Sequence, residues 1–191
     1  MNALECKAYL ERIGYQEEPH TDKDCLEKLM ELQLQSVPFE NLEVFKEKRV
    51  PSLKTEDIFH KIVHQERGGC CFELNKIFYE LLKGLGFDVT PLAIRMLWSP
   101  DDFRRILHRA TMVVLEDGPY YCDVGYGGPG PRYPVKLEDG LHTEKNGTFT
   151  RDNGAAGYQR GNPDGKEARR RVSSPHELYA APCAGCRFRS P

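Results

Sequence analysis

The chain has 191 residues, and its 27 Lys and Arg residues against 29 Asp and Glu residues give a formal net charge of −2. This length fits one domain with a core of ordinary size, and the near-neutral charge predicts no nucleic-acid partner. No apolar run approaches the ~20 residues that span a membrane, and the N-terminus lacks the basic and apolar regions of a signal peptide, so no membrane partner is predicted. Seven cysteines, an odd number without a secretion signal, predict reduced thiols and a cytoplasmic location.

Helical periodicity dominates the first 86 residues. Apolar residues recur every three or four positions in segments that end at Gly14 and Pro38, and Thr21 with Asp24 resembles a capping box. The pattern predicts helices over residues 3–13, 25–34 and 55–66. His60 and His64 lie one turn apart, a spacing that suits metal ligands, but no third ligand is near, so a solvated helix face is favoured and no metal site is predicted.

The segment Arg67–Asn75 is the most informative part of the chain. Two glycines lead into a pair of cysteines, and apolar residues then recur at helical spacing, which predicts a helix over residues 71–82. At a helix N-terminus the free N–H groups and the helix dipole favour an anion, so we expect the pKa of the Cys71 thiol to be lowered. The alternative is an inert, packed cysteine, because Cys is among the most buried residue types.

After Gly86 the chain changes to short segments rich in β-branched and aromatic residues. These segments predict strands over residues 87–97, 108–115 and 120–124. Helices followed by strands indicate an α+β fold. We divide it into a helical region with the nucleophile, a β-rich region with a histidine and an aspartate, and a polar tail, over residues 1–86, 87–150 and 151–191.

A hairpin holds the two residues that could complete a triad with Cys71. A two-residue turn at Asp117 and Gly118 pairs Met112 with Asp123, and places His108 and Asp123 on one face of the sheet. They are then four residues apart along the ladder, about 13 Å at about 3.3 Å per residue. Contact between them therefore requires a bulge or a longer turn. Taken singly, they also suit a strand-end histidine and a turn-flanking carboxylate.

Four glycines lie within residues 125–130, directly after Asp123. Such a loop lets the backbone approach a phosphate-bearing ligand, or it is an irregular surface turn. The spacing favours the surface turn, because no Gly-Lys-Ser/Thr ending and no helix follow.

Four motifs in this order resemble the arylamine N-acetyltransferases over about residues 1–135. They are Val37–Leu42 (Val-Pro-Phe-Glu-Asn-Leu), Arg67–Asn75 (Arg-Gly-Gly-Cys-Cys-Phe-Glu-Leu-Asn), His108, and Asp123–Gly127 (Asp-Val-Gly-Tyr-Gly). The resemblance implies an N-terminal helical bundle, an antiparallel β-barrel-like region and a cysteine-protease-like core. It also implies transfer of an acetyl group from acetyl-CoA, the co-substrate, to a small aromatic amine or hydrazine, with no permanently bound cofactor.

The resemblance also implies a role for each candidate residue. The predicted triad has Cys71 as the nucleophile that forms a thioester, His108 as the base, and Asp123 as the group that orients the imidazole. The remaining implied residues are Phe39 and Tyr126 in the acceptor pocket, Gly127 and Gly128 near coenzyme A, and Glu40 and Arg67 as a buried ion pair that supports the site. Solvated charges are the alternative for the last pair.

The last 41 residues contain one Leu, one Val, and no Ile or Met. This composition predicts a mostly disordered or loosely packed tail, so we expect the third region of the family to be missing. Cys183 and Cys186 form a lone CxxC in this tail, which supplies half a zinc site or a redox pair.

Two other functions fit the same residues. Cys, His and Asp in this order also suit a cysteine hydrolase or amidase of the papain- or transglutaminase-like type. The missing third region would impair acetyl transfer by weakening coenzyme A binding, and the other alternative is an inactive truncated remnant that at most binds partners. An acetyl adduct on Cys71 that an amine discharges faster than water would support transfer over both.

Overall fold

The N-terminal half of the chain is helical, as its apolar periodicity predicts. The computed structural model describes residues 1–97, 106–128, 130–138, 140–144, 147–152, 155–160 and 168–172. Its helices are α1 (Ala3–Ile13), α2 (Lys23–Ser36), α3 (Leu42–Phe45), α4 (Thr55–Phe59), a π-helical segment (His60–His64) and α5 (Cys71–Gly84). No helix within these ranges is long and apolar enough to cross a membrane.

The helix ends follow local side-chain chemistry. Asn2 caps α1 through reciprocal hydrogen bonds with the third helical residue, and Gly14 ends it in a left-handed conformation with φ of 77°. Asp22, and not the predicted Thr21, is the N-cap of α2. The Asp22 side chain accepts a hydrogen bond from the Cys25 N–H at 2.9 Å. A carboxylate at this position also complements the helix dipole.

The predicted helix over residues 55–66 is present as α4 and the π-helical segment that directly follows it. His60 and His64 are exposed, with their ring centroids 5.7 Å apart. Lys61 between them is buried, together with the next two apolar residues. A lysine on the inner face of a helix requires acidic partners, which the site described below supplies.

The main apolar core lies between the helices and the first strands. Helix α5 is central to it, and packs against α1, α4, β1 and β2. Its buried residues are Glu73, Leu74, Asn75, Ile77, Phe78, Leu81 and Leu82. Each fully buried Leu, Ile or Phe side chain contributes about 1.5–3 kcal/mol, so the core fixes this helix and Cys71 at its start.

The strands form one antiparallel sheet. They are β1 (Asp88–Leu97), β2 (Ile106–Leu115), β3 (Gly118–Cys122), β4 (Val135–Lys136), β5 (Gly140–Glu144), β6 (Gly147–Asp152), β7 (Ala155–Arg160) and β8 (Ala168–Val172). The order across the sheet is β4-β3-β2-β1-β8-β7-β6-β5. Strands β4 and β5 stand at its two ends, so the sheet of described strands is open and lacks the closure of the predicted barrel-like region.

The β2–β3 hairpin has a different register from the predicted one. Leu115 pairs with Gly118, so the two turn residues are Glu116 and Asp117. The predicted register would close the turn with Pro119, which has no N–H to donate to the closing pair. Moving the turn back by one residue removes this conflict. Gly118 then follows the turn with φ of 126°, a range that favours glycine.

The corrected register brings the histidine and the aspartate together. Thr111 pairs with Cys122, and one further step places Asp123 opposite Ala110. His108 and Asp123 are then two residues apart on one face, about 7 Å along the ladder, which side chains can span. The predicted separation of about 13 Å is therefore wrong, and no bulge in the β2–β3 pair is needed for contact.

Strands continue past Phe149, into the segment predicted to be disordered. Asp152 ends β6, and β7 and β8 follow, with β8 pairing both with β7 and with Met96 and Leu97 of β1. A ladder of backbone hydrogen bonds does not require apolar side chains, which explains why composition failed to predict these strands. Residues 173–191, including the CxxC, lie outside the described residues.

Candidate active site

Cys71 is the first residue of α5, at the end of a turn that depends on glycine. The Gly69 N–H donates to the Pro38 oxygen at 3.2 Å, and the Gly69 oxygen accepts from the Glu40 N–H at 2.9 Å. A Cβ on Gly68 would overlap the Pro38 oxygen, so a side chain does not fit there. The turn before the nucleophile is therefore fixed against the 37–42 motif.

The start of α5 is held by a capping box. Glu73 Oε2 accepts from the Cys70 N–H at 3.0 Å, and the Cys70 side chain faces the Glu73 N–H. The other carboxylate oxygen, Oε1, accepts from Lys61 Nζ at 2.8 Å. Glu73 therefore links the residue before the nucleophile to a buried lysine.

The two neighbouring thiols differ in acidity. A hydrogen bond between them lowers the pKa of Cys70 and raises the pKa of Cys71, and burial and the charge of Asp123 raise the pKa of Cys71 further. The predicted lowering of the Cys71 pKa is therefore wrong for the resting site, because Cys70 occupies the N-cap position that favours an anion. The resting Cys71 side chain is therefore a thiol at neutral pH.

His108 directly follows the residue that contacts the Cys71 sulfur. The Cys71 Sγ lies 3.9 Å from the main-chain oxygen of Leu107, the residue before His108 in β2. Leu107 is an extra residue in the β1–β2 ladder, because Ile94 pairs with His108 and the next residue of β1 pairs with Ile106. This bulge lies beside the sulfur at the start of β2.

Asp123 holds His108 through a short hydrogen bond. His108 Nε2 and Asp123 Oδ2 are 2.6 Å apart, and their side chains are only 5% and 3% exposed. Nδ1 is then the ring nitrogen that this pair does not use.

Three further donors surround the Asp123 carboxylate. Asn75 Nδ2 and the Gly125 N–H donate to Oδ1 at 2.9 and 3.0 Å, and the Tyr121 hydroxyl donates to Oδ2 at 2.9 Å. Burial alone would raise the pKa of Asp123, but the charge and hydrogen bond of His108, with the bonds from Asn75 and Gly125, outweigh it and hold the pKa below its usual range. Asp123 is therefore charged at neutral pH and can stabilise an imidazolium.

Gly125 brings the loop after β3 onto the nucleophile. A Cβ at this position would lie 3.0 Å from both Cα and the carbonyl oxygen of Cys71, and 2.6 Å from Asn75 Nδ2. The backbone of the loop therefore touches the first residue of α5 directly. Through this contact and the Leu107 contact, the structure brings the three predicted triad residues Cys71, His108 and Asp123 into one site.

The predicted pocket residues lie beside this site. The Tyr126 ring meets the His108 ring edge-on, with centroids 5.7 Å apart and planes at 84°. Phe39 is 45% exposed, and a Cβ on Gly127 would lie 2.8 Å from its ring. Gly127 and Gly128 are exposed, and a Cβ on Gly128 would meet the Tyr126 ring at 3.2 Å. Both glycines thus lie against aromatic rings, while their predicted role near coenzyme A stays a prediction.

Glu40 and Arg67 form an ion pair within a larger cluster. Their side chains are 2.9 Å apart and half-buried, and Lys61 Nζ lies 3.8 Å from Glu40 and 3.3 Å from Glu43. Burial would raise the pKa of Glu40, but hydrogen bonds from the Leu42 N–H and Arg67 outweigh it and lower the pKa. We call the group Glu40, Glu43, Lys61, Arg67 and Glu73 the Lys61 cluster.

Sequence reasoning missed two members of the site. Lys61 follows Ile58 by three residues, which places it on the inner face of the predicted helix and could have identified it as a buried cation. Tyr121 shares the strand parity of Asp123, which could have placed both side chains on one face. Asn75, the last residue of the Arg67–Asn75 motif, contacts the Asp123 carboxylate directly.

Comparison with known proteins identifies the family. The sequence model of an N-acetyltransferase family matches residues 22–165, beyond the limit of about residue 135 that the motifs suggest. The chain is 35% identical over 143 residues to the arylamine N-acetyltransferase of Mycolicibacterium smegmatis, covering 72% of this chain and 52% of that protein. The chain belongs to the arylamine N-acetyltransferase family.

The chain is also similar to other proteins over comparable lengths. Proansamycin X synthase of Amycolatopsis mediterranei, which is 32% identical over 163 residues, covers 83% of this chain, and the match spans 62% of that protein. The solved arylamine N-acetyltransferase of Salmonella typhimurium superposes with a TM-score of 0.82 at 26% identity, over 92% of this chain and 65% of that one. The Mycobacterium marinum arylamine N-acetyltransferase in complex with CoA gives a TM-score of 0.76 at 29% identity, over 88% of this chain and 65% of that one. The chain therefore spans less than two thirds of the length of these family members.

Proposed function

We propose that this chain transfers an acetyl group from acetyl-CoA to an arylamine, or to a hydrazine, through a thioester on Cys71. The observation that carries the proposal is the buried His108–Asp123 pair at 2.6 Å, beside a cysteine at the start of a helix. Family membership indicates the substrates, since relatives of this chain are named arylamine N-acetyltransferases and one was solved with CoA.

In the first half-reaction Cys71 becomes acetylated. The S–H proton passes to Nδ1 of His108, and Asp123 stabilises the imidazolium that forms. The Cys71 thiolate then attacks the acetyl carbonyl carbon, and the bond between that carbon and the coenzyme A sulfur breaks. The leaving thiolate takes the proton from His108, so free coenzyme A departs as a thiol. Because the resting pKa of Cys71 is raised, this proton transfer is essential to the step.

In the second half-reaction the amine takes the acetyl group. The amine nitrogen attacks the thioester carbon, His108 accepts the proton that nitrogen loses, and the bond between carbon and the Cys71 sulfur breaks. The sulfur then regains the proton from His108, which restores the resting site. No net redox change occurs.

The surroundings of the triad suit an aromatic acceptor. Phe39 offers an exposed ring, and Tyr126 stands edge-on to His108. We assign both to the acceptor pocket, Gly127 and Gly128 to the approach of coenzyme A, and the Glu40–Arg67 pair to support of the turn before Cys71. The cysteine-protease-like core and the cytoplasmic location belong to the same proposal.

Intact-protein mass spectrometry tests the proposal. The full chain is mixed with acetyl-CoA, and we expect one acetyl group on Cys71 with release of stoichiometric coenzyme A. Addition of an arylamine should discharge the adduct, and Cys71→Ser should abolish both events. Cys70→Ser is the matched control, and should still acetylate.

Each other outcome identifies an alternative. Hydrolysis of the thioester in the absence of amine, at the rate seen with amine, would assign the site to a cysteine hydrolase. A folded chain with no adduct, and with thiols that do not react with iodoacetamide at neutral pH, would indicate an inactive remnant.

A further inference from the structure

The proposed reaction uses one of two adjacent thiols and leaves Cys70 without a role. Cys70 and Cys71 are both partly exposed, whereas the other cysteines of the described residues, Cys6, Cys25 and Cys122, are buried. The pair therefore sits where a small oxidant from solvent can reach it.

The two thiols are arranged for exchange with one another. Their mutual interaction lowers the pKa of Cys70 and raises that of Cys71. Cys70 lies outside the helix in extended conformation, with φ of −82° and ψ of 172°, and its side chain faces the Glu73 N–H. A rotation of this side chain toward Cys71 exchanges that capping contact for a bond to the neighbouring sulfur and leaves the backbone hydrogen bonds of the helix in place. Disulfide formation starts from the thiolate of one cysteine, which the lowered pKa of Cys70 favours.

We propose that Cys70 and Cys71 form a reversible disulfide with each other when the protein meets hydrogen peroxide. The thiolate of the pair attacks one peroxide oxygen, which breaks the O–O bond and gives a sulfenic acid and hydroxide. The sulfur of the second cysteine, after losing its proton, attacks the sulfenic sulfur. The S–O bond breaks, hydroxide leaves, and it takes up a proton to become water. Overall, the two thiols are oxidised by two electrons and the peroxide is reduced to two waters.

The geometry also predicts that this disulfide is easily reduced. Consecutive Cα atoms across a trans peptide are about 3.8 Å apart, shorter than the usual lower limit of about 4.4 Å for a disulfide. The bond would therefore be strained, and strained disulfides are the labile, reversible ones. Both sulfurs are protected from irreversible oxidation while the bond exists, and a thiol reductant restores the nucleophile.

Peptide mapping tests this proposal without any measurement of acetyl transfer. Cleavage after Arg67 and Lys76 yields residues 68–76, which contain Cys70 and Cys71 and no other cysteine. After peroxide treatment of the full chain, we expect this peptide to lose two hydrogens and to resist alkylation. Dithiothreitol should restore its mass and both alkylation sites.

Single variants provide the controls. Cys70→Ser and Cys71→Ser should each gain oxygen atoms on the remaining cysteine, with no loss of two hydrogens. A double variant, Cys183→Ser with Cys186→Ser, removes the other close cysteine pair and should still form the disulfide. The proposal is overturned if the wild-type peptide gains oxygens as the single variants do, or if Cys71 is found linked to a cysteine other than Cys70.

Discussion

Asn75 provides the sharpest test of the site geometry. Its side chain is fully buried, and Nδ2 donates to Asp123 Oδ1 at 2.9 Å and to the Arg109 oxygen at 2.6 Å, while Oδ1 accepts from the Val124 N–H at 2.9 Å. In Asn75→Ala, a charged and two neutral hydrogen bonds are lost together. A hydrogen bond to a carboxylate contributes about 1.5–3 kcal/mol and a neutral one about 1 kcal/mol, so a loss of about 3 kcal/mol is expected after partial replacement by water.

Urea denaturation followed by circular dichroism measures this loss. With a slope of about 2 kcal/mol per molar urea, the midpoint should fall by about 1.5 M. Lys83→Ala on the exposed face of α5 is the matched control, and should shift the free energy of unfolding by less than about 0.5 kcal/mol. If Asn75→Ala shifts the midpoint no more than this control, Asn75 does not hold the aspartate loop as described.

The isosteric variant Asn75→Asp adds a pH dependence with a defined sign. Burial and the Asp123 charge should raise the pKa of the new carboxyl above its unfolded value of about 3.9. Its ionised form then destabilises the folded state, so stability relative to wild type should be lowest at neutral pH and recover as the pH falls. A difference from wild type that is the same at pH 7 and pH 4.5 would refute this reasoning.

Three further predictions follow from other contacts of the site. In Gly125→Ala the new methyl group meets the Cys71 backbone at 3.0 Å, so the free energy of unfolding should fall by about 1–3 kcal/mol in urea denaturation. The control Gly128→Ala should lower it by less in the same assay. Lys61→Met removes the cation beside the buried Glu73 carboxylate, so the free energy of unfolding should fall by about 3 kcal/mol, whereas the exposed control Lys54→Met should change it little in the same assay. Because the folded pKa of Asp123 is lowered, its contribution to stability is present above about pH 4 and lost as the pH falls further, so Asp123→Asn should flatten the acid limb of the stability profile. Equal acid limbs in the two proteins would contradict this.

Local patterns predicted the helices well, because each depends on residues close in sequence. The α5 periodicity and the two glycines before it placed Cys71 correctly at a helix start. The predicted lowering of the Cys71 pKa was wrong, because groups other than the helix N-terminus also act on this thiol. The structure assigns the N-cap to Cys70, and places the charge of Asp123 near Cys71.

The hairpin shows a second kind of error. Asp117 and Gly118 are a strong turn signal, and the missing N–H of Pro119 was the local fact that should have overruled it. Local sequence signals of this kind cannot predict contacts between segments that are distant in the sequence. The Lys61 cluster joins residues 40–43, 61, 67 and 73, and no periodicity within any one of these segments specifies that their charges meet.

The two-residue turn between β2 and β3 also limits how this part of the chain can change during evolution. Substitutions at Glu116 or Asp117 leave the spacing between His108 and Asp123 intact. Adding or deleting a single residue there would turn the carboxylate to the opposite side of the sheet, away from the imidazole. Relatives that keep this chemistry should therefore vary in composition at the hairpin tip and conserve its length.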